Sequence, residues 1–281
     1  MNALWLLSDN QQTCQTIENE RCTNMILFDQ SPIWVVYLVT VVVALVFAEI
    51  GFRLGLWLQR RDPESGKTGI SGTVVGGMLG LMAFLLAFCI GIVINQQNGR
   101  KAMVVTEANA VGTAYLRAGF LDEPDRASSR DLLREYVEVR LAAAADPALL
   151  ESAVTRSEEI HGELWSIVEG NVRQGQESDI MGLLVESINE VIDVHSLRLA
   201  AVDLRLPQLL WMVLYAATML SFLLVGVANS ADAKRDPFAI LLFALAYVAV
   251  LMLVVDLDRP QQGLLTVSQT AMSDLLRQMM P

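Results

Sequence analysis

Three long stretches of this chain contain no charged residue at all: 69–94, 207–228 and 238–255. A fourth, 32–58, contains only Glu49 and Arg53. Roughly 20 apolar residues in a helix cross the hydrocarbon core of a bilayer. Inside lipid the backbone must satisfy its own polar groups, so a run of this kind has to be helical. A core helix of a water-soluble protein would keep a polar stripe, and these runs have none. The reading is four transmembrane helices. Composition agrees: of 281 residues 53% are apolar and 18% charged, where soluble domains carry about a quarter charged residues. The opening MNALWLLSDN has neither the basic start nor the apolar length of a cleaved signal, so the first span is expected to direct insertion itself.

The spans divide the chain into a tail at 1–31, a membrane hairpin at 32–94, an extramembrane segment at 95–206, a second hairpin at 207–255 and a tail at 256–281. Both tails and the middle segment then share one side of the membrane. The loops 59–68 and 229–237 face the other side and are too short to fold alone. The middle segment reads as wholly helical. Helix A continues the second span to about Leu121, and Pro124 fits the first turn of helix B. Asp146-Pro147 marks the start of helix C as a cap followed by proline. Ser178 can cap helix D, which runs to Pro207 and into the third span. Narrow apolar stripes recur, with Leu133, Tyr136 and Val137 on B, Ile160, Leu164 and Val168 on C, and Leu184, Ile188 and Val191 on D. The fold class is therefore all-α: four membrane helices, two of them extended into a helical domain completed by a hairpin.

That domain is acidic, with 11 Lys/Arg against 19 Asp/Glu between Asn95 and Leu206. Such a surface repels nucleic acid and anionic lipid and favours cations or basic partners. Arg60, Arg61 and Lys67 follow the first span, and Lys234 and Arg235 sit in the second short loop. The positive-inside rule then puts these loops in the cytoplasm and the domain outside. Arg100, Lys101, Arg198 and Arg205 on the domain side pull the other way. Cys14 and Cys22 in the first tail would form a disulfide in an oxidising compartment, or remain two free thiols.

Helix A carries two faces. Ala108, Gly112, Tyr115 and Gly119 make a small-residue face for close packing. Asn109, Thr113 and Arg117 make a polar face, expected to line a wet vestibule or to touch another subunit. In the second span Phe84, Phe88 and Ile92 recur every four residues above Asn95, and Gly72, Gly76, Gly77, Gly80 and Gly91 offer close approach. A ring of such apolar side chains from several copies would make a constriction that gates by dewetting. Facing lipid or a neighbouring helix is the plainer alternative. Glu49 and Arg53 can pair four residues apart. Asp256, Asp258 and Arg259 form a charged network where the last span ends. It would fix the tail, or act as a gate element or cation site.

The stretches TEANAVGTAYLR (106–117), LDEPDR (121–126) and RDLLREYVEVRL (130–141) resemble a bacterial family of integral membrane proteins called bestrophin-like. The ending VVDLDRPQQGLLTVS (254–268) is similar to that family's closing motif, although Gln261 and Gln262 stand where an aromatic residue often follows the proline. The resemblance runs from the second span to the C-terminus. It implies kinship with bestrophins, pentameric chloride channels with four spans per subunit, an apolar neck on the second span and a cytoplasmic helical domain. That last implication opposes the charge-based orientation. It further implies an inner-membrane, multi-pass protein whose partners are copies of itself, lipid and ions.

Catalytic chemistry finds little footing. Glu158 and His161 have a spacing used in di-iron bundles, but His195 lacks the matching glutamate such sites need. No phosphate loop, nucleophile elbow or zinc pattern occurs. No catalytic residue, metal or cofactor is assigned. The expected function is a homo-oligomeric ion channel with the second span around the pore. The alternative is a non-conducting membrane scaffold that binds a partner through its acidic domain.

Overall fold

A computed structural model describes residues 32–61, 72–175, 178–230, 237–259 and 266–280. The described residues form helices and connecting turns, with no strand among them. The helices are α1 (Ile33–Arg61), α2 (Gly72–Arg117), α3 (Asp125–Ala145), α4 (Leu150–Arg173), α5 (Asp179–Asp203), α6 (Gln208–Ser230), α7 (Pro237–Asp258) and α8 (Thr270–Met279). Four of them, α1, α2, α6 and α7, are long and apolar enough to cross a membrane. The chain divides into two compact units. One takes in the chain up to Ile90 together with Leu206–Gly263, and the other Gly91–Arg205 together with Leu264–Pro281.

In the membrane unit α1 and α6 approach so closely that glycine is required on both. A Cβ at Gly51 would strike the carbonyl of Leu223, one at Gly226 the carbonyl of Ala48, and one at Gly55 the hydroxyl of Ser230. Lipid supplies no hydrophobic drive between helices, so contact of this kind rests on dispersion at short range. Around it Ala44, Ala48, Phe222 and Ala244 form a buried cluster with Phe243 and Tyr247 against it. The polar groups here find partners within the unit. Tyr37 Oη donates to the Leu245 carbonyl at 3.1 Å, and the Thr218 and Tyr247 hydroxyls lie 3.0 Å apart. Close packing was expected from the glycines of the second span. Within one copy of the chain Gly72, Gly76, Gly77, Gly80 and Gly91 meet nothing within 4 Å of a Cβ position.

In the helical unit the local signals operate as their chemistry dictates. Asp146 Oδ1 accepts from Ala148 N at 3.0 Å, with Pro147 opening the turn before α4. Ser178 Oγ accepts from Met181 N at 3.2 Å and starts α5. Gly175 has φ +82°, the left-handed geometry that ends α4 and costs glycine no side-chain clash. Val111, Leu133, Val137, Ile160, Leu164, Leu184 and Ile188 make the shared core.

Two features depart from the sequence-based picture. Helix D does not merge with the third span, because α5 stops at Asp203 and residues 204–207 are non-helical. Pro207 disfavours helix at the residue before it. Arg100 caps the freed carbonyls, donating from Nε to Ala201 O at 3.2 Å and from Nη2 to Leu204 O at 2.5 Å. The second departure is α8. The segment after the last span was expected as a tail, yet it folds onto this unit with Met272 and Met279 buried. Gly112 leaves room for Leu275 Cδ1, 3.2 Å from the site of a Cβ, and Tyr115 Oη donates to Met279 O at 3.3 Å. Ten residues make a marginal helix in water, so packing rather than propensity holds α8.

Candidate functional site

The four residues proposed around a pore lie along the outward face of α2. Phe84 is 68% exposed and Phe88 53% exposed, Asn95 is exposed and Ile92 half-buried. Met82, Leu86, Cys89 and Val93, on the opposite face, are buried. The helix is thus two-sided although its hydrophobicity is not.

Asn109, Thr113 and Arg117 do share one open groove, together with Thr106, Glu186, Ser187 and Glu190. Thr113 Oγ1 returns its proton to Asn109 O at 2.9 Å. Arg117 Nη1 donates to Leu183 O at 2.5 Å and lies 3.8 Å from Glu186. Asp256, Asp258 and Arg259 are buried. Asp258 Oδ1 accepts from Leu206 N at 2.7 Å and Oδ2 from Trp211 Nε1 at 3.4 Å, which ties the end of α7 to the start of α6. Glu49 and Arg53 form the expected exposed pair, 2.8 Å apart. Cys14 and Cys22 lie outside the described residues.

The densest polar chemistry lies elsewhere, in the core of the helical unit. Glu107 on α2 is 0% exposed. Its Oε1 accepts from Tyr136 Oη at 2.6 Å and lies 3.2 Å from Arg140 Nε, both on α3. Its Oε2 accepts from Arg198 Nη1 on α5. Arg198 Nη2 also donates to Gln269 Oε1 at 2.9 Å, just before α8. His195 Nδ1 sits 3.1 Å from Tyr136 Oη. The ring of His161, on α4, stands 5.0 Å from that of His195 and 5.3 Å from that of Tyr136.

This geometry assigns protons. Glu107 faces two guanidinium groups and is therefore ionised. A phenol has one proton, and Tyr136 spends it on the carboxylate. His195 Nδ1 must then be the donor to Tyr136 Oη, which leaves a bare lone pair on His195 Nε2. Among the described residues neither that atom nor His161 Nε2 has a hydrogen-bond partner. Burial first, and Arg140 second, hold His161 down to about 4 and His195 down to about 3, with His161 adding to the effect on His195. Burial also pushes the Tyr136 phenol up and lowers Arg198 to about 10. Both arginines remain cationic at neutral pH, so the cluster carries one more positive charge than negative.

Sequence reasoning singled out none of this set as a site. Tyr136 reads as one more apolar position in a stripe, and Glu107 as a polar residue on a wet helix. Glu158, the notional partner of His161 in a metal pair, is exposed, whereas His161 is buried. Among the described residues no group of three or more His, Cys, Asp or Glu could hold a metal ion.

A family model described as Bestrophin-like domain matches residues 37–272. Solved structures of a bacterial bestrophin homologue from Klebsiella pneumoniae share the fold. One, of a point variant, aligns with TM-score 0.62 at 16% identity over 89% of this chain and 98% of its own. Another aligns with TM-score 0.63 at 13% identity over 90% of this chain and 97% of its own. At such identities the likeness is one of fold alone. None of the curated proteins matches the chain.

Proposed function

We propose, for a chain that belongs to the bestrophin-like family, that several copies assemble around α2 into an ion channel. The observation that carries the proposal is the two-sidedness of α2. Met82, Leu86, Cys89 and Val93 are buried, while Phe84, Phe88 and Asn95 stand open. Five glycines between Gly72 and Gly91 have nothing before them. A membrane helix with one packed side and one side of glycine and phenylalanine is suited to meeting its own copies around an axis. The phenylalanines would form an apolar constriction, and Asn95 its wet mouth. Asn109, Thr113 and Arg117, in the helical unit, would line a polar groove of their own.

Liposome flux of the purified protein tests this reading. Salt gradients of both polarities should dissipate, and Phe84→Ala or Phe88→Ala should raise or unsettle the flux. Flux absent in both directions would remove the channel and leave the scaffold. Flux present but untouched by either substitution would move the neck elsewhere.

A further inference from the structure

We propose that His161 and His195 form a proton-operated latch that sets whether the C-terminal helix α8 stays docked on the helical unit. The inference does not depend on conduction. It rests on a chain of contacts through one buried cluster, traced from the proton acceptor outward.

His195 Nε2 is buried with an unengaged lone pair, and His161 Nε2 is buried beside it without a partner. Tyr136 and Arg140 on α3 act on the pair directly, and Tyr136 and Arg140 in turn meet Glu107 on α2, which holds Arg198 on α5. A single carboxylate already serves two guanidinium groups. Proton uptake on either imidazole places a third cation against the same carboxylate, in a medium where charge is poorly screened. The cluster can relieve this by releasing the cation nearest to solvent. Arg140 is 5% exposed, whereas Arg198 is 11% exposed at the side chain and is shared between Glu107 and Gln269.

Gln269 is the residue from which α8 starts. Its Oε1 receives Arg198, and its Nε2 donates to Val267 O at 3.2 Å, so Arg198 orders the strap that leads into the helix. Movement of Arg198 therefore removes the one side-chain tie among the described residues that links the cluster to this segment. What then holds α8 is the burial of Met272 and Met279 in the core of the unit, Leu275 against Gly112 of α2, and packing on α3. The latch works in one direction: neutral imidazoles keep α8 down, and acid lets it go.

Hydrogen exchange of the full chain in nanodiscs reads the latch, with protection factors compared at about pH 7 and about pH 4. In the wild type the amides of 270–279 should lose roughly tenfold or more of their protection, the change that one unit of pKa difference produces. The amides of α3 and α4 should lose less, because they share only the fall in stability of the whole unit. The double variant His161→Asn/His195→Asn, which keeps an amide at both positions but cannot take up a proton, should abolish the difference. Gln269→Ala, at a partly exposed position, should already show the acid-like protection at pH 7 and change little further. Equal acid loss in the double variant would assign the effect to carboxylates and overturn the proposal. So would a loss of equal size in α3, α4 and α8, or full protection of α8 in Gln269→Ala.

Discussion

Tyr136 donates its hydroxyl proton to Glu107 Oε1 across 2.6 Å, and by doing so determines which nitrogen of His195 carries hydrogen. One short bond between α2 and α3 thus sets the protonation pattern of a cluster that reaches α4, α5 and the approach to α8.

Removing the carboxylate should hurt more than removing the phenol. Glu107→Gln leaves Arg140 and Arg198 buried against a neutral amide, a change that typically costs about 3–5 kcal/mol. Tyr136→Phe deletes one hydrogen bond to a charged group and should cost about 1.5–3 kcal/mol. Thermal unfolding in detergent should rank the two variants in that order. The reverse order would mean that Glu107 is not the centre of the network.

Acid should weaken the helical unit before ordinary carboxylates titrate. The folded state holds His161 at about 4 and His195 at about 3, whereas an unfolded chain restores both to about 6.5. Below that value the unfolded chain binds protons that the folded state refuses. The stability present above about pH 6.5 is therefore lost as pH falls towards about 4. The slope is about 1.4 kcal/mol per pH unit for each histidine. Unfolding midpoints between pH 6.5 and 5 should drop steeply, and a flat profile there would contradict the buried neutral pair.

Glycine should matter in one membrane helix pair and not along the second span. Gly226→Ala drives a methyl into the Ala48 carbonyl and should cost about 1–3 kcal/mol through overpacking. Gly76→Ala meets open space and should leave the protomer's thermal stability unchanged. Unfolding of the two variants side by side checks the contrast.

The helix-end partners should be costly to remove. Asp258→Ala strips the acceptor from the buried Leu206 N–H, and Arg100→Ala strips two carbonyls at the end of α5. Each should cost about 1–3 kcal/mol, as unsatisfied buried groups do. Arg100→Lys should recover part of the loss, because an ammonium can serve a carbonyl but lacks the fork that reaches both. A stability equal to wild type in either alanine variant would show that solvent replaces the lost partner.

What the sequence by itself determined was everything set by local cost. Uncharged runs had to become membrane helices because lipid offers the backbone no partner. Asp146 and Ser178 had to start helices because their side-chain oxygens satisfy the backbone there. The apolar stripes of Leu133, Ile160 and Leu184 had to face inward. What only the tertiary structure decided was the fate of each polar group and each glycine. Glu107 and Asn109 look alike in a helix, yet one is sealed and the other open, because Arg140 and Arg198 arrive from distant parts of the chain to make burial affordable. Gly51 and Gly226 are close-packed while Gly76 is not, because a neighbour's backbone rather than the glycine's own run brings atoms near. Burial energy is a property of pairs, and the pairs that matter here are far apart in the chain.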